Sequence, residues 1–368
     1  MEVIRKNYTL EIEEPTIHVD NGARGRSGHM SHALASFAPN TFIDFNANYS
    51  AVRNGGHYCY GWIEYSISKD SGKTFSELRT FPYSMKCFED GLYTISVEKA
   101  VGCDDGTIVA FCLRNSALEN MFCVPWETPT VVRSTDGGET WGEATELCEY
   151  KGRVYSAFCH EGAIYVLMFC NDYMWGQTEE HKYRLYKSTD NGVTFEEVSV
   201  VPFNTLDRAY GTMLLDQQGV LHVFVYNRKD EFVIDHAISK DMGKTWEILD
   251  MVPVNEGIRN PQLAYIDGVY VMHGRSWCKG GIAGENLVLY TSEDAYHWDE
   301  AIIIAHTKPS GQYYSDNLNL TDENGNFLLI QYSETIMNST IQVKVSADSP
   351  VKKCHQVNAK HMRIRVKR

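Results

Sequence analysis

The 368-residue chain is 43% hydrophobic and 22% charged, with a formal net charge of −14 at pH 7. That balance supplies a large apolar core and argues against a general nucleic-acid binder, which needs a basic face to displace counterions. No run is long and apolar enough for a membrane helix, and residues 1–6 lead into no apolar segment. The expected location is therefore cytoplasmic, or secreted if a leader has been removed from the chain. The ten cysteines are scattered without a Cys-x-x-Cys pair and read as reduced thiols rather than a disulfide framework. No His, Cys or Asp cluster has metal-ligand spacing and no glycine loop cradles a phosphate, so neither metal nor cofactor is expected.

In chain order, short β-branched and aromatic runs alternate with turn residues from end to end. Residues 8–19 form a strand ahead of any repeat. One turn pattern then recurs: Ser68-Lys-Asp-Ser-Gly-Lys-Thr-Phe75, Ser134-Thr-Asp-Gly-Gly-Glu-Thr-Trp141, Ser188-Thr-Asp-Asn-Gly-Val-Thr-Phe195 and Ser239-Lys-Asp-Met-Gly-Lys-Thr-Trp246. A fifth copy, Ser292-Glu-Asp-Ala-Tyr-His-Trp298, is one residue short and lacks the glycine. From Asp70 to Asp136, Asp190, Asp241 and Asp294 the steps are 66, 54, 51 and 53 residues. An Asp accepting backbone N–H bonds beside a Gly at positive φ makes a tight hairpin, after which Thr and the aromatic residue resume a strand.

Between these boxes lie three strands per unit, at 93–101, 107–113 and 130–134, at 211–215, 220–226 and 232–239, and at 262–266, 269–273 and 286–292. A repeat of this size with four antiparallel strands is a propeller blade. Five boxes give five blades, and 315–320, 327–332 and 340–346 supply strands for a sixth without a box. The expectation is all-β: a single six-bladed β-propeller over residues 1–350, its last blade closed by the N-terminal strand. Residues 351–368 carry seven Lys or Arg and no acid, alternating with Met362, Ile364 and Val366. They read as a basic tail forming an edge strand.

The boxes join the outer strands of each blade, so they are scaffold, and chemistry belongs at the opposite rim. There the second strands end at Arg114, Arg228 and Arg275, and first strands start near Arg24, Arg26, Arg153, Asp207-Arg208, Arg259 and Tyr313-Tyr314-Ser315-Asp316. Guanidinium groups gathered around one axis call for an anion, and their forks match a carboxylate. The expected partner is an anionic saccharide. Trp175 and Trp277 in rim loops are candidates to stack on a sugar ring, and His29, beside the first inner strand, to contact it.

Boxes, blade length and rim arginines together resemble the sialidase superfamily of Asp-box propellers, over most of the chain. The resemblance implies a glycosidase that clamps a sugar carboxylate with three arginines and attacks with a tyrosine assisted by a carboxylate. Tyr314-Ser315 matches the family's Tyr-Ser, which makes Tyr314 the nucleophile, with Tyr313 beside it. Arg228 and Arg275 or Arg259 match clamp positions, with Arg114 a further rim cation. The family's Arg-Ile-Pro is absent, and Arg26 stands there. Asp207 stands where the family has Glu, and Asp44 is available as acid/base. The implied activity is retaining exo-hydrolysis of sialic acid or a similar acidic sugar. A uronic-acid lyase or other glycosidase, in which Arg259, His29 or Tyr210 would matter more, and a non-catalytic carbohydrate-binding propeller are the alternatives.

Overall fold

Short β-branched and aromatic runs, the central ones buried along nearly their whole length, give strands throughout, in four sheets that stand apart as propeller blades. The first of these is built from Tyr93–Gly102, Ile108–Ser116, Thr130–Ser134 and Thr145–Glu146, and the next from Gly152–His160, Ala163–Cys170, Lys182–Ser188 and Glu196–Val201. Then come Arg208–Leu215, Leu221–Asn227, Val233–Ser239 and Glu247–Ile248, with Val252–Pro253 added alongside, and finally Arg259–Ile266, Val269–Arg275, Asn286–Ser292 and Ile302–His306. The remaining strands make one eleven-stranded sheet. It contains the run Leu34–Ala38, Thr41–Ser50, Gly61–Ser68, Arg79–Thr80 and the run Tyr314–Asp322, Gly325–Val343, Lys352–Lys367, Thr9–Ile12, Glu2–Ile4, joined through Arg26–Ser27. This is a computed structural model; it describes residues 1–28, 33–50, 61–116, 126–173, 175–178, 180–277, 284–307, 313–343 and 352–368, with the backbone alone at 50, 335–343 and 352–356.

Leu34–Ala38, Tyr93–Gly102, Gly152–His160, Arg208–Leu215, Arg259–Ile266 and Tyr314–Asp322 pack side by side in that order, and the last returns to the first. The expected strand at 340–346 is a correction: 340–343 continue Gly325–Val343, and its partner is Lys352–Lys367. The C-terminal run is not an edge either. It pairs with Gly325–Val343 on one side and with Thr9–Ile12 and Thr16–Val19 on the other. Its charges are neutralised by neighbours: Arg365 meets Asp322 at 2.5 Å, Arg363 meets the same carboxylate at 3.7 Å, and Lys367 pairs with Glu11. Helix Pro82–Asp90, absent from the expectation, begins with proline in its first turn and stops at Gly91, whose φ is 70°.

The box chemistry is the same four times. At the second box, Ser134 Oγ donates to Asp136 Oδ1 (2.8 Å), Gly138 N donates to Ser134 Oγ (2.8 Å), and Thr140 gives its N–H to Oδ1 (2.9 Å) and its hydroxyl to Oδ2 (2.5 Å). The short fifth box keeps this logic with Ala295, at φ 63°, in the position glycine fills elsewhere. The box aromatics seal blade to blade: Trp141 packs on Phe45, Tyr65 and Phe81, and Trp246 donates to Ser199 Oγ at 2.8 Å. Box turns also meet the first-hairpin turns, as Asn191 does by donating to Asp105 Oδ2 at 2.8 Å.

These bonds hold the carboxyls of Asp70, Asp136 and Asp241 down at about 2, the threonine hydroxyl contributing most. Asp190 also sits at about 2, its bonds from Thr194 and Ser188 outweighing burial. A depressed folded-state pKa means the contribution is complete above the unfolded value near 4 and is lost as pH falls toward 2. Stability should therefore drop between about pH 4 and pH 2. In Asp190→Asn that part of the slope should flatten, read as Tm against pH; an unchanged slope would remove this origin for the acid sensitivity.

Candidate functional site

Three successive inner strands open with a β-bulge. The register shifts between Val154 and Ser156, between Ala209 and Gly211, and between Arg259 and Gln262. A bulge re-aims the residue it contains, and here the bulged residues are Tyr155, Tyr210 and Asn260, all lining one pocket. Tyr210 and Asn260 hold φ of 40° and 53°, a region that side-chain-bearing residues avoid, so surrounding contacts must impose it. The next inner strand starts at Tyr314, which lines the same pocket with Glu98 and Arg153.

Tyr210 and Tyr314 are hydrogen-bonded to each other. Burial alone would raise the proton affinity of Tyr210, but the guanidinium groups of Arg259, Arg275 and Arg153, with the Tyr314 bond, outweigh it and bring it below that of an ordinary phenol. Tyr314 moves the other way. Burial and the Tyr210 charge push it up to about 12 against the pull of Arg275 and Arg153. The two phenols are thus displaced in opposite directions.

Arg275 lies over the Tyr314 ring at 5.1 Å, and its register partner Arg259 lies over Trp175 at 5.1 Å and Tyr226 at 5.3 Å. Arg153 gives Nε and Nη2 to Glu98 Oε2 at 2.9 and 2.6 Å and stacks over Trp126 at 4.8 Å. Burial pushes the Glu98 carboxyl up, and Arg153 pulls it back. Several buried polar atoms here have no hydrogen-bond partner among the described residues: Arg153 Nη1, Arg275 Nε and both amide atoms of Asn260. Buried groups left so call for a polar partner, whether ordered water, an ion or a ligand.

This pocket is small, about 50 Å³. A wider mouth of about 870 Å³ opens on the other side of the channel, among first-hairpin turns such as Gln217 to Gly219. Lys99, Gln262 and Asp316 border both. Lys99 Nζ donates to Asp316 Oδ1 at 2.6 Å and to Gln262 Oε1, a polar plug between the two.

Of the residues expected at the site, Tyr314, Arg259, Arg275 and Trp175 come together; the other described ones are engaged by different partners. Arg228 covers the far face of Trp175 at 4.8 Å and pairs with Asp207 at 3.4 Å, both about half exposed. Asp207 is thus the partner of Arg228 rather than of Tyr314. Arg26 donates to the side chain and carbonyl of Asn48 and lies over Trp62. Arg114 pairs with the exposed Glu146 at 2.8 Å, and Trp277 packs on Phe232. Asp44 does not fit the acid/base role: its side chain has no exposed surface and bonds His361 at 2.8 Å. His29 lies outside the described residues.

Sequence reasoning left Tyr155 and Asn260 out of the site, counted Arg153 only among the rim arginines, gave Tyr210 weight only in the lyase alternative, and took Glu98 only as a residue that could face the channel. A signal for the bulged ones exists: Tyr155, Tyr210, Asn260 and Tyr314 each follow a box aromatic, Trp141, Phe195, Trp246 and Trp298, at nearly constant spacing.

No family model matches the chain, and no curated protein does. Solved structures do. A crystal structure of a Dyadobacter fermentans protein of unknown function matches with a TM-score of 0.69 at 14% identity, over 97% of this chain and 99% of that one. The phage phi92 endosialidase matches at 0.64 and 10%, over 98% of this chain and 69% of that one. Trypanosoma rangeli sialidase, in complex with the inhibitor DANA, matches at 0.60 and 13%, over 92% of this chain and 55% of that one. This chain therefore spans about half the length of the trypanosomal enzyme. Likeness at such identities establishes a sialidase-like propeller scaffold.

Proposed function

We propose that the chain is a six-bladed propeller, closed in its last blade by the N-terminal strand, that hydrolyses a terminal acidic sugar, sialic acid or a similar one, with retention. One observation carries this reading: two buried tyrosines, Tyr210 and Tyr314, share a hydrogen bond within the field of three arginines. Arg275, Arg259 and the unbonded Nη1 of Arg153 take the sugar carboxylate. The Tyr314 oxygen attacks the anomeric carbon as the glycosidic C–O bond breaks, and its proton passes to the Tyr210 phenolate. The leaving oxygen takes its proton from a water molecule, leaving hydroxide. A second water then displaces the Tyr314 oxygen and gives a proton to that hydroxide, while Tyr314 recovers its own proton from Tyr210, which returns to phenolate. Tyr210 thus does what the family assigns to a carboxylate.

The opposite displacement of the two phenols favours a second reading on the same pocket. Tyr210 as phenolate would remove the proton beside the carboxylate, Tyr314 would protonate the leaving oxygen, and the product would be an unsaturated uronide. A fold hosts many chemistries, so the site alone arbitrates. The purified protein should be assayed on fluorogenic sialosides, uronides and neutral glycosides. Turnover confined to acidic sugars with a saturated product is the expected result. An unsaturated product absorbing in the near ultraviolet moves the assignment to elimination, and turnover of neutral glycosides alone, or of none, rejects it.

A further inference from the structure

Strand Thr16–Val19, strand Thr41–Ser50 and strand Lys352–Lys367 meet where the two ends of the chain join the first blade. Each brings one metal-binding side chain to the seam. His361 Nε2 lies 2.8 Å from Asp44 Oδ2, His18 Nε2 lies 3.4 Å from the same oxygen, and the ligand atoms of all three fall within 4.8 Å of one another. We propose that His18, Asp44 and His361 bind one divalent transition-metal ion of the zinc class, which clasps the N-terminal strand, the first blade and the C-terminal strand.

The donor set is two imidazoles and one carboxylate. That combination suits zinc and its neighbours, whose bonds to N and O are about 2.0–2.2 Å, and does not suit the oxygen-seeking calcium or magnesium. The seam shows what an ion would relieve. Asp44 is wholly buried, and its Oδ1 has no hydrogen-bond partner among the described residues. His18 Nε2, also buried, has none either. Neutral imidazole nitrogens are common ligands for such an ion. A buried carboxylate oxygen left without a partner is costly, and a cation held by it is a direct remedy.

A cavity of about 340 Å³ runs past His18 and His361, with Glu13 and Glu14 also on its wall, giving a path for the ion and room for a water ligand. Of the two cations on that wall, Lys73 is paired with Glu323, and Arg363, whose charge bears on His361, is partly offset by Asp322 at 3.7 Å. The rings of His18 and His361 stand stacked, centroids 4.1 Å apart and 13° from parallel. Coordination requires them to turn about their outer torsions, which are soft for histidine. Nothing in the linear spacing of residues 18, 44 and 361 marks the set, because only ring closure brings them together.

The test uses the whole protein, stripped with a chelator and dialysed, then titrated with Zn²⁺ and in parallel with Co²⁺. The expected result is about one ion per chain, a rise in Tm because the ion binds the folded state alone, and visible absorption from Co²⁺ in a nitrogen–oxygen site. His18→Gln and Asp44→Asn should each weaken binding by at least about tenfold. If Asp44→Asn does not fold, His18→Gln, at the cavity wall, carries the comparison. Substoichiometric zinc with no change in Tm overturns the proposal, and so does His18→Gln holding zinc as tightly as the parent chain.

Discussion

Tyr314→Phe should abolish turnover by about a thousandfold or more while the protein still folds. The substitution keeps the ring that Arg275 covers and removes one hydroxyl, so the stability cost is that of a single buried hydrogen bond, about 1 kcal/mol. The kinetic cost is larger because no other group in the pocket stands in for the attacking oxygen. Tyr210→Phe separates the roles further. Activity needs Tyr210 ionised, so it should fall as pH drops through the Tyr210 pKa. Three guanidinium groups have brought that pKa below the ordinary phenol value. Tyr210→Phe should therefore lower the rate and erase this acidic limb of the pH profile. Near-parental kcat/KM in Tyr314→Phe would sink the nucleophile, and with it the elimination reading, which uses Tyr314 as the acid. A circular dichroism spectrum and urea midpoint for each variant keep a folding defect from passing as a chemical one.

What was legible in the sequence was local. The Asp boxes can be read from a chain alone because their carboxylate, glycine and threonine satisfy one another within a few residues, as the four superposable bond sets show. Tyr314, Arg259 and Arg275 were legible for a related reason: strand ends follow from turn spacing, and strand ends make the rim. Tyr210 was legible only as part of the lyase alternative and not as the partner of Tyr314, since a bulge inserts one residue between Ala209 and Gly211 and decides which side chain turns inward. A period-two reading has no term for that. Asp44 illustrates the second limit. It stands opposite Leu34 in register on the second strand of its run, which directs it into the packing between first and last strands, and only their meeting reveals His18 and His361. The C-terminal run shows the third. Alternation told that one face is basic, but Asp322 and Glu11, which convert that face from a solvated edge into an interior strand, come from the far parts of the fold.

Glu98→Gln should destabilise the protein by about 3–5 kcal/mol, a large part of the roughly 5–15 kcal/mol that holds a typical domain folded. Glu98 and Arg153 bridge two adjacent blades, with side chains only 6% and 4% exposed, and Arg153 is further held over Trp126. Removing the carboxylate charge leaves a guanidinium out of water beside Arg259 and Arg275, where like charges now repel. The retained amide oxygen can still accept one bond, so the loss belongs toward the lower end of that range. Glu98→Leu combined with Arg153→Met takes both charges away and should recover most of the stability, which a double-mutant cycle by urea denaturation measures. A loss below about 1 kcal/mol in Glu98→Gln would mean that Arg153 is compensated in some other way. The same variant also probes the pocket. With Glu98 neutral, the cluster has one more uncompensated positive charge, and an acidic sugar bound there supplies the missing negative one. Its addition should therefore raise the Tm of Glu98→Gln more than that of the parent, whereas a neutral sugar should not. Equal shifts with both sugars would show that the arginines do not meet the ligand's charge.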